Sequence, residues 1–219
     1  MRPTQILPES YSHCYTLDSK QHKAAQGVLI FIGLVFFLLC WQAIKFILPE
    51  SSVIFKLKGD PFHIIIFSAT IIIMVILHES IHSLVLWGST KKFPSFGINF
   101  MGSVYVNASG WYLPRLHMLI MSLSPFLLLS VIGIILLRFT SGEFFQMTLW
   151  AVLLNAVGAV NDLAVAGWLF FQPDTALIEN SGQALSIYRI NDGHSQKNGT
   201  REKIRVFLER YLVNFHNAA

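Results

Sequence analysis

The sequence has few charged residues and almost no cysteine. Only 13% of its 219 residues are charged, against about 25% in a typical soluble domain. Cys14 and Cys40 are the two cysteines, which excludes a CxxC redox motif, a four-cysteine zinc site and a disulfide framework. The net charge of +4 forms no compact basic patch, which argues against nucleic acid as a partner. These shortages, together with 53% hydrophobic residues, indicate an integral membrane protein.

Four apolar segments are each long enough to cross a hydrocarbon core of about 30 Å. They run over residues 28–48, 61–87, 116–137 and 145–171. The sequence therefore predicts an all-α integral membrane protein with about four transmembrane helices. We expect three parts, which are a cytoplasmic N-terminal segment (1–27), a membrane domain (28–171) and a cytoplasmic tail (172–219).

Basic residues are divided unevenly between the two sides that these spans separate. Twelve of the 16 Lys and Arg residues precede the first span, join the second to the third, or follow the fourth. The other four lie on the opposite side. Because basic loops tend to remain in the cytoplasm, we expect a multi-pass protein of the cell membrane with both termini cytoplasmic. The lipid bilayer is then one of its partners.

Two regions outside the spans also carry structural signals. Residues 96–107 place a Gly-containing turn between apolar and aromatic residues, which predicts a small β-hairpin between the second and third spans. An irregular interfacial loop is the alternative. Residues 200–215 have apolar side chains at helical spacing opposite arginines, which predicts a C-terminal amphipathic helix on the membrane surface or on the protein itself.

The second span contains the motif His78-Glu79-Ser80-Ile81-His82. Residues four apart share a face of a helix, so both histidines can turn a ring nitrogen toward one metal ion. Glu79 lies about 100° round the helix from His78, close enough to act on water at that metal. Such residues are costly in lipid, which favours a metal site over the alternative, a polar contact that joins helices.

A catalytic zinc site needs a third protein ligand, and Asp162 is the acidic residue that lies deep in another apolar segment. The second and fourth spans cross in the same direction. His78 and Asp162 lie equally far from the starts of their spans at residues 61 and 145, so both are expected at the same depth. Asn155 is one heptad before Asp162 and shares its helical face. A packing seam with an incidental aspartate is the alternative.

The third span contains Ser124-Pro125. Proline has no N–H to donate to the carbonyl four residues earlier, so the carbonyl of Met121 is expected to lack its helical partner. The resulting kink is expected to open space near the site.

These motifs together resemble a known family. His78–His82 in one span, Ser124-Pro125-Phe126 in the next and Asp162-Leu163 in the last are similar to the membrane-embedded zincin metallopeptidases, which are related to the site-two (intramembrane) zinc metalloproteases. The stretches 161–165 and 173–179 are similar to the family's C-terminal signature, and the resemblance covers roughly residues 61–179. It implies a three-helix catalytic core with an added first helix, and a hairpin that presents substrate.

The resemblance also implies residue roles. Zn²⁺ is expected on His78, His82 and Asp162, with Glu79 as general base and Asn155 holding the substrate carbonyl or oxyanion. The chain departs from the site-two proteases in that no proline follows Asn155 and the stretch 160–163 replaces Leu-Asp-Gly. The sequence predicts an intramembrane zinc metalloprotease that acts on membrane proteins or membrane-associated peptides.

Two other classes of protein remain open at this point. A membrane metal-binding or transport protein would use His78, His82 and Asp162 as a transfer site, with Glu79 as a proton-coupled group. Transporters often contain internal repeats, and none is visible in this sequence. A b-type cytochrome usually takes its two haem histidines from different helices, whereas His78 and His82 share one. A haem absorbance spectrum distinguishes it.

Overall fold

The computed structural model describes residues 1–18, 23–47, 61–98, 104–182 and 184–190. These residues are mostly helical. The helices are α1 (Lys23–Ile47), α2 (Pro61–Thr90), α3 (Arg115–Leu137), α4 (Gly142–Gly158) and α5 (Val160–Phe170). The strands are β1 (Tyr11–Asp18), β2 (Ser95–Ile98), β3 (Val104–Asn107), β4 (Tyr112–Pro114), β5 (Leu177–Asn180) and β6 (Ala184–Ile190). The all-α prediction is not confirmed, because these strands form two small sheets.

Three helices, α1, α2 and α3, are each long and apolar enough to cross a membrane. Only 11–22% of their most apolar windows is buried inside the protein. Such outward-facing apolar surface is stable in lipid rather than in water. The predicted fourth span is instead two helices, α4 and α5, which meet at a bend of 43°. The described part of the chain thus has three candidate spans, or four if the bent pair is one.

The helices pack around α3, which contacts α2, α4 and α5, while α1 lies against α4 and α5. Close approach of α3 and α4 depends on Gly133, since a side chain there would collide with Val152. An apolar cluster fills the space between α1, α3 and α4, formed by Ile44, Leu137, Phe145, Leu149, Val152 and Leu153. Helix α1 is therefore part of the bundle, although the site described below contains none of its residues.

A four-stranded antiparallel sheet, in the order β1-β6-β5-β4, lies next to the bundle. It joins a strand from the N-terminal segment to two strands from the tail, and none of these three strands was predicted. Leu113, Ile178 and Ile187 are 0–1% exposed and form its inner face. They share a core with Leu86 of α2 and Leu169 of α5. The predicted helix at 200–215 lies outside the described residues.

The predicted hairpin between the second and third spans is confirmed as an antiparallel pair. β2 and β3 pair from Ser95 opposite Asn107 to Ile98 opposite Val104, and residues 99–103 between them lie outside the described residues. The ring of Tyr105 fills the space where Gly97 and Gly182 have no side chain. Because Gly182 lies between β5 and β6, this contact anchors the hairpin to the larger sheet.

Candidate metal centre

The two histidines of the motif lie one turn apart on α2. Their ring centroids are 4.9 Å apart, and their side chains are 12% and 9% exposed. One nitrogen or oxygen atom from each of His78, Glu79 and His82 lies within 4.8 Å of the others. The spacing within the motif thus produces the expected cluster on one helix face.

Asp162 meets both histidines at one carboxylate oxygen. Its Oδ2 lies 2.9 Å from Nε2 of His78 and 3.2 Å from Nε2 of His82. The bend between α4 and α5 sets this position, because it places Asp162 in the first turn of a new helix. Unpaired N–H groups at a helix N-terminus carry partial positive charge and stabilise a carboxylate. His78 and Asp162, which the sequence placed at the same depth, are in contact, although the segment that carries Asp162 is two helices rather than one.

The second ring nitrogen of His82 has a backbone partner. Nδ1 of His82 lies 2.9 Å from the carbonyl oxygen of Met121 on α3. A carbonyl can only accept, so Nδ1 carries the proton and donates it. This is the carbonyl that lacks its helical partner because Pro125 follows it by four residues. The sequence predicted the free carbonyl but not its use by His82.

The second ring nitrogen of His78 has a side-chain partner. Nδ1 of His78 lies 3.1 Å from Oδ1 of Asn155 on α4. The amide nitrogen of Asn155 donates to the carbonyl of Phe126 at 3.5 Å and to Oγ of Ser130 at 3.3 Å. Because the carbonyl of Phe126 can only accept, the amide is oriented with Oδ1 toward His78. Asn155 is 3% exposed, so this contact is inside the bundle.

The donor set fits a metal ion. With a proton on each Nδ1, a neutral imidazole has a lone pair on Nε2, and both lone pairs point at a carboxylate oxygen of Asp162. Three electron-rich atoms converge favourably only when a cation or extra protons lie among them. Two imidazoles and a carboxylate are a common zinc donor set, and hydrogen-bonded second nitrogens are typical of histidines that bind metals.

Two carboxylates are candidates for the third ligand. Asp162 contacts both Nε2 atoms, while Glu79 belongs to the compact cluster on α2. Asp162 comes from a different helix and meets both rings at one atom, whereas Glu79 lies on the same helix as the histidines. The roles predicted for His78, His82, Asp162, Glu79 and Asn155 stay predictions.

Two supporting residues were missed from the sequence. Ser130 orients Asn155, and a serine in an apolar span was the available signal. Arg115 donates to the carbonyl of Gln172 at 2.6 Å and pairs with Asp174. It thereby ties the start of α3 to the end of α5, the helix that carries Asp162. Its signal was a basic residue at the end of a span.

The fold has three helices long and apolar enough to cross a membrane, and the site is a cluster of His78, Glu79 and His82 that could hold a metal ion. Residues 71–177 match the family described as "Putative zincin peptidase". All five predicted site residues fall within this stretch. The match supports a zincin-like family, a zinc peptidase activity and zinc as the metal. No curated protein and no solved structure matches the chain.

Proposed function

We propose that this protein is an intramembrane zinc metallopeptidase, related to the site-two proteases, that hydrolyses peptide bonds of membrane proteins or membrane-associated peptides. The observation that carries the proposal is the convergence of both Nε2 atoms of the H-E-x-x-H helix on one oxygen of Asp162, beside Glu79. The surrounding helices are long and apolar enough to cross a membrane, which supports cleavage at or within the bilayer.

In this proposal His78, His82 and Asp162 hold the zinc, and Glu79 moves the proton. When bound, zinc supplies a Lewis acid that polarises a peptide carbonyl and makes water nucleophilic near neutral pH. Glu79 takes a proton from the attacking water and returns it to the leaving nitrogen. The carboxylates of Glu79 and Asp162 together balance the charge of a divalent ion, which lowers the cost of a charged site in lipid.

Asn155 has two candidate roles in this mechanism. Its contact with Nδ1 of His78 supports a positioning role. To hold a substrate carbonyl, its amide nitrogen would have to give up a hydrogen bond to Ser130 or Phe126. The predicted oxyanion role therefore requires a rearrangement that the positioning role does not.

The β2–β3 hairpin is the proposed place where substrate binds. A peptide bond in a helical substrate must first be released, because helical carbonyls are engaged in hydrogen bonds. An extended strand added to the hairpin edge would replace those bonds. β3 packs against α2, the helix with both histidines, and Tyr105 fixes the hairpin to the larger sheet.

The proposed topology puts both termini and the end of α2 in the cytoplasm. Nζ of Lys91 lies 5.6 Å from the ring centroid of Trp87, and Nζ of Lys92 lies 5.8 Å from that of Trp111. Tryptophan and lysine together are typical of a membrane–water interface. Accessibility tags within 91–94 and after residue 215 should both be cytoplasmic, and a tag within 51–59 should be external. Opposite sides for the first two tags would contradict the topology.

The decisive experiment uses Glu79→Gln. Cells that carry this variant should lack the membrane-protein fragments made by the wild type, and turnover of a verified substrate should fall by roughly 10²–10⁴-fold. Purified Glu79→Gln should still hold about one zinc, because Glu79 is not a ligand in this proposal.

The matched control for this experiment is Glu143→Gln. Glu143 is 58% exposed at the start of α4, so its loss should leave the fragments unchanged. Wild-type turnover in Glu79→Gln would refute the mechanism. Altered metal flux with no difference in fragments would favour the transport alternative.

A further inference from the structure

We propose that Pro125 is a positioning residue for the metal centre. Because proline has no backbone N–H, it leaves the carbonyl of Met121 available to accept a hydrogen bond from Nδ1 of His82. This inference rests on the zinc site of the proposed function and adds a residue that contacts neither metal nor substrate.

The carbonyl oxygen of Met121 has two partners and two lone pairs. It accepts from Nδ1 of His82 at 2.9 Å and from Oγ of Ser124 at 3.1 Å. In an uninterrupted helix, the N–H of residue 125 would take one of these positions. Proline has no N–H, so both lone pairs of this oxygen remain available to the side-chain donors. Met121 is 5% exposed and Pro125 less than 2%, so both sit inside the protein rather than at a surface kink.

The orientation of His82 depends on its access to this carbonyl. Donation from Nδ1 leaves the lone pair on Nε2, the atom that faces Asp162. A backbone N–H at residue 125 would compete with Nδ1 for the carbonyl of Met121, and once displaced Nδ1 would lose its buried acceptor. The ring would then turn, or the proton would move to Nε2 and block the atom that binds metal.

The two histidines are held by different means. His78 depends on the side chain of Asn155, which a single substitution removes. His82 depends on a backbone carbonyl, which no substitution at Met121 removes. Position 125 therefore controls the partner of His82 through the presence or absence of one N–H.

Two substitutions separate the missing N–H from the packing of the proline ring. Pro125→Ala and Pro125→Val both restore the N–H, and Val also retains much of the ring's volume. The apparent Kd for zinc should rise in both, by about tenfold or more, while circular dichroism shows unchanged helix content. Ser124→Ala is the matched control, because it removes the other donor to the same oxygen and should keep near wild-type affinity.

The outcomes decide the proposal without a substrate. Wild-type affinity in both Pro125 variants overturns it. Wild-type affinity in Pro125→Val alone also overturns it, because lost packing then explains the alanine effect. If zinc binds as expected but no peptide is cleaved, the proposed function fails while the positioning role stands.

A metal-free measurement tests the same point. In ¹⁵N-histidine NMR spectra of the intact protein in detergent or nanodiscs, His82 of the wild type should carry its proton on Nδ1. In Pro125→Ala the signal should shift toward the Nε2–H form or a mixture. An unchanged His82 tautomer in Pro125→Ala would overturn the proposal, even in a preparation that binds no zinc.

Discussion

The helical bundle buries polar side chains together with apolar ones, whereas the inner face of the four-stranded sheet is apolar. At the centre of the bundle lie His82 and Asn155, which are 7% and 3% exposed, while apolar residues such as Ile65 face outward. The sheet instead buries Leu113, Ile178 and Ile187 completely. The bundle thus combines an apolar outer surface with a polar cluster inside, whereas the sheet follows the ordinary rule of a water-soluble core.

The loss of one contact should have different consequences in the bundle and in the sheet. A buried polar group that loses its hydrogen-bond partner raises the free energy of the folded state, so each bond around the site should have a large effect when it is broken. The sheet is held by apolar contacts, and losing one weakens the structure without altering any atom of the site. Substitutions in the two regions should therefore differ in kind: in the bundle they change zinc binding, and in the sheet they change stability.

Asp162→Asn should have the largest effect. A neutral amide is a poor zinc ligand. Replacing the carboxylate also removes a negative charge that would balance the cation. The apparent Kd for zinc should rise by more than the roughly 10–100-fold typical of outer-shell substitutions, as measured by competition with a chelator. Glu9→Gln is the control, since Glu9 is exposed in the N-terminal segment and its substitution should leave zinc affinity unchanged. If Asp162→Asn binds zinc like the wild type while Glu79→Gln does not, Glu79 is the third ligand.

The site was easier to predict than the sheet because polar residues are conspicuous in apolar spans. His78, His82, Asp162 and Asn155 could all be selected on that ground, and helical spacing indicated which of them share a face. The bend at Ala159 was missed, because Gly158 within an apolar run is tolerated in membrane helices and does not by itself signal a break.

The sheet was missed for a topological reason. β1 pairs with β6, so its partner lies about 170 residues away in the chain. Short strands of this kind carry a weak local pattern, and nothing in residues 11–18 indicates which distant segment they pair with. The β2–β3 hairpin was predictable because its strands are close in sequence and separated by a short stretch that contains glycine.

Ile187→Ala should have the next largest effect. It tests whether a substitution in the sheet changes stability without changing zinc affinity. Ile187 is 0% exposed in the sheet, so its truncation leaves a cavity. The free energy of unfolding should fall by about 2–5 kcal/mol, as measured by thermal or denaturant unfolding, while the folded fraction binds zinc like the wild type. Ile6→Ala, at an 80% exposed position, should change stability by less than about 0.5 kcal/mol. Loss of zinc affinity in folded Ile187→Ala would mean that the sheet also shapes the site.

Asn155→Ala should have the smallest of these effects. It tests whether the hydrogen bond to Asn155 fixes the ring of His78. Alanine leaves Nδ1 of His78 without its acceptor at 3.1 Å. The ring is then free to turn or to change tautomer, so the apparent Kd for zinc should rise by about tenfold.

The matched control for Asn155→Ala is Asn161→Ala. Asn161 is exposed and lies next to Asp162 in sequence, so its truncation should leave both zinc affinity and turnover near the wild type. A substrate-holding role for Asn155 predicts the opposite pattern from a positioning role, namely normal zinc affinity with reduced turnover of bound substrate. Measuring zinc affinity and turnover on the same preparations therefore decides between the two roles. If zinc affinity is unchanged, Asn155 does not position His78, and the polar centre of the bundle tolerates an unpaired ring nitrogen.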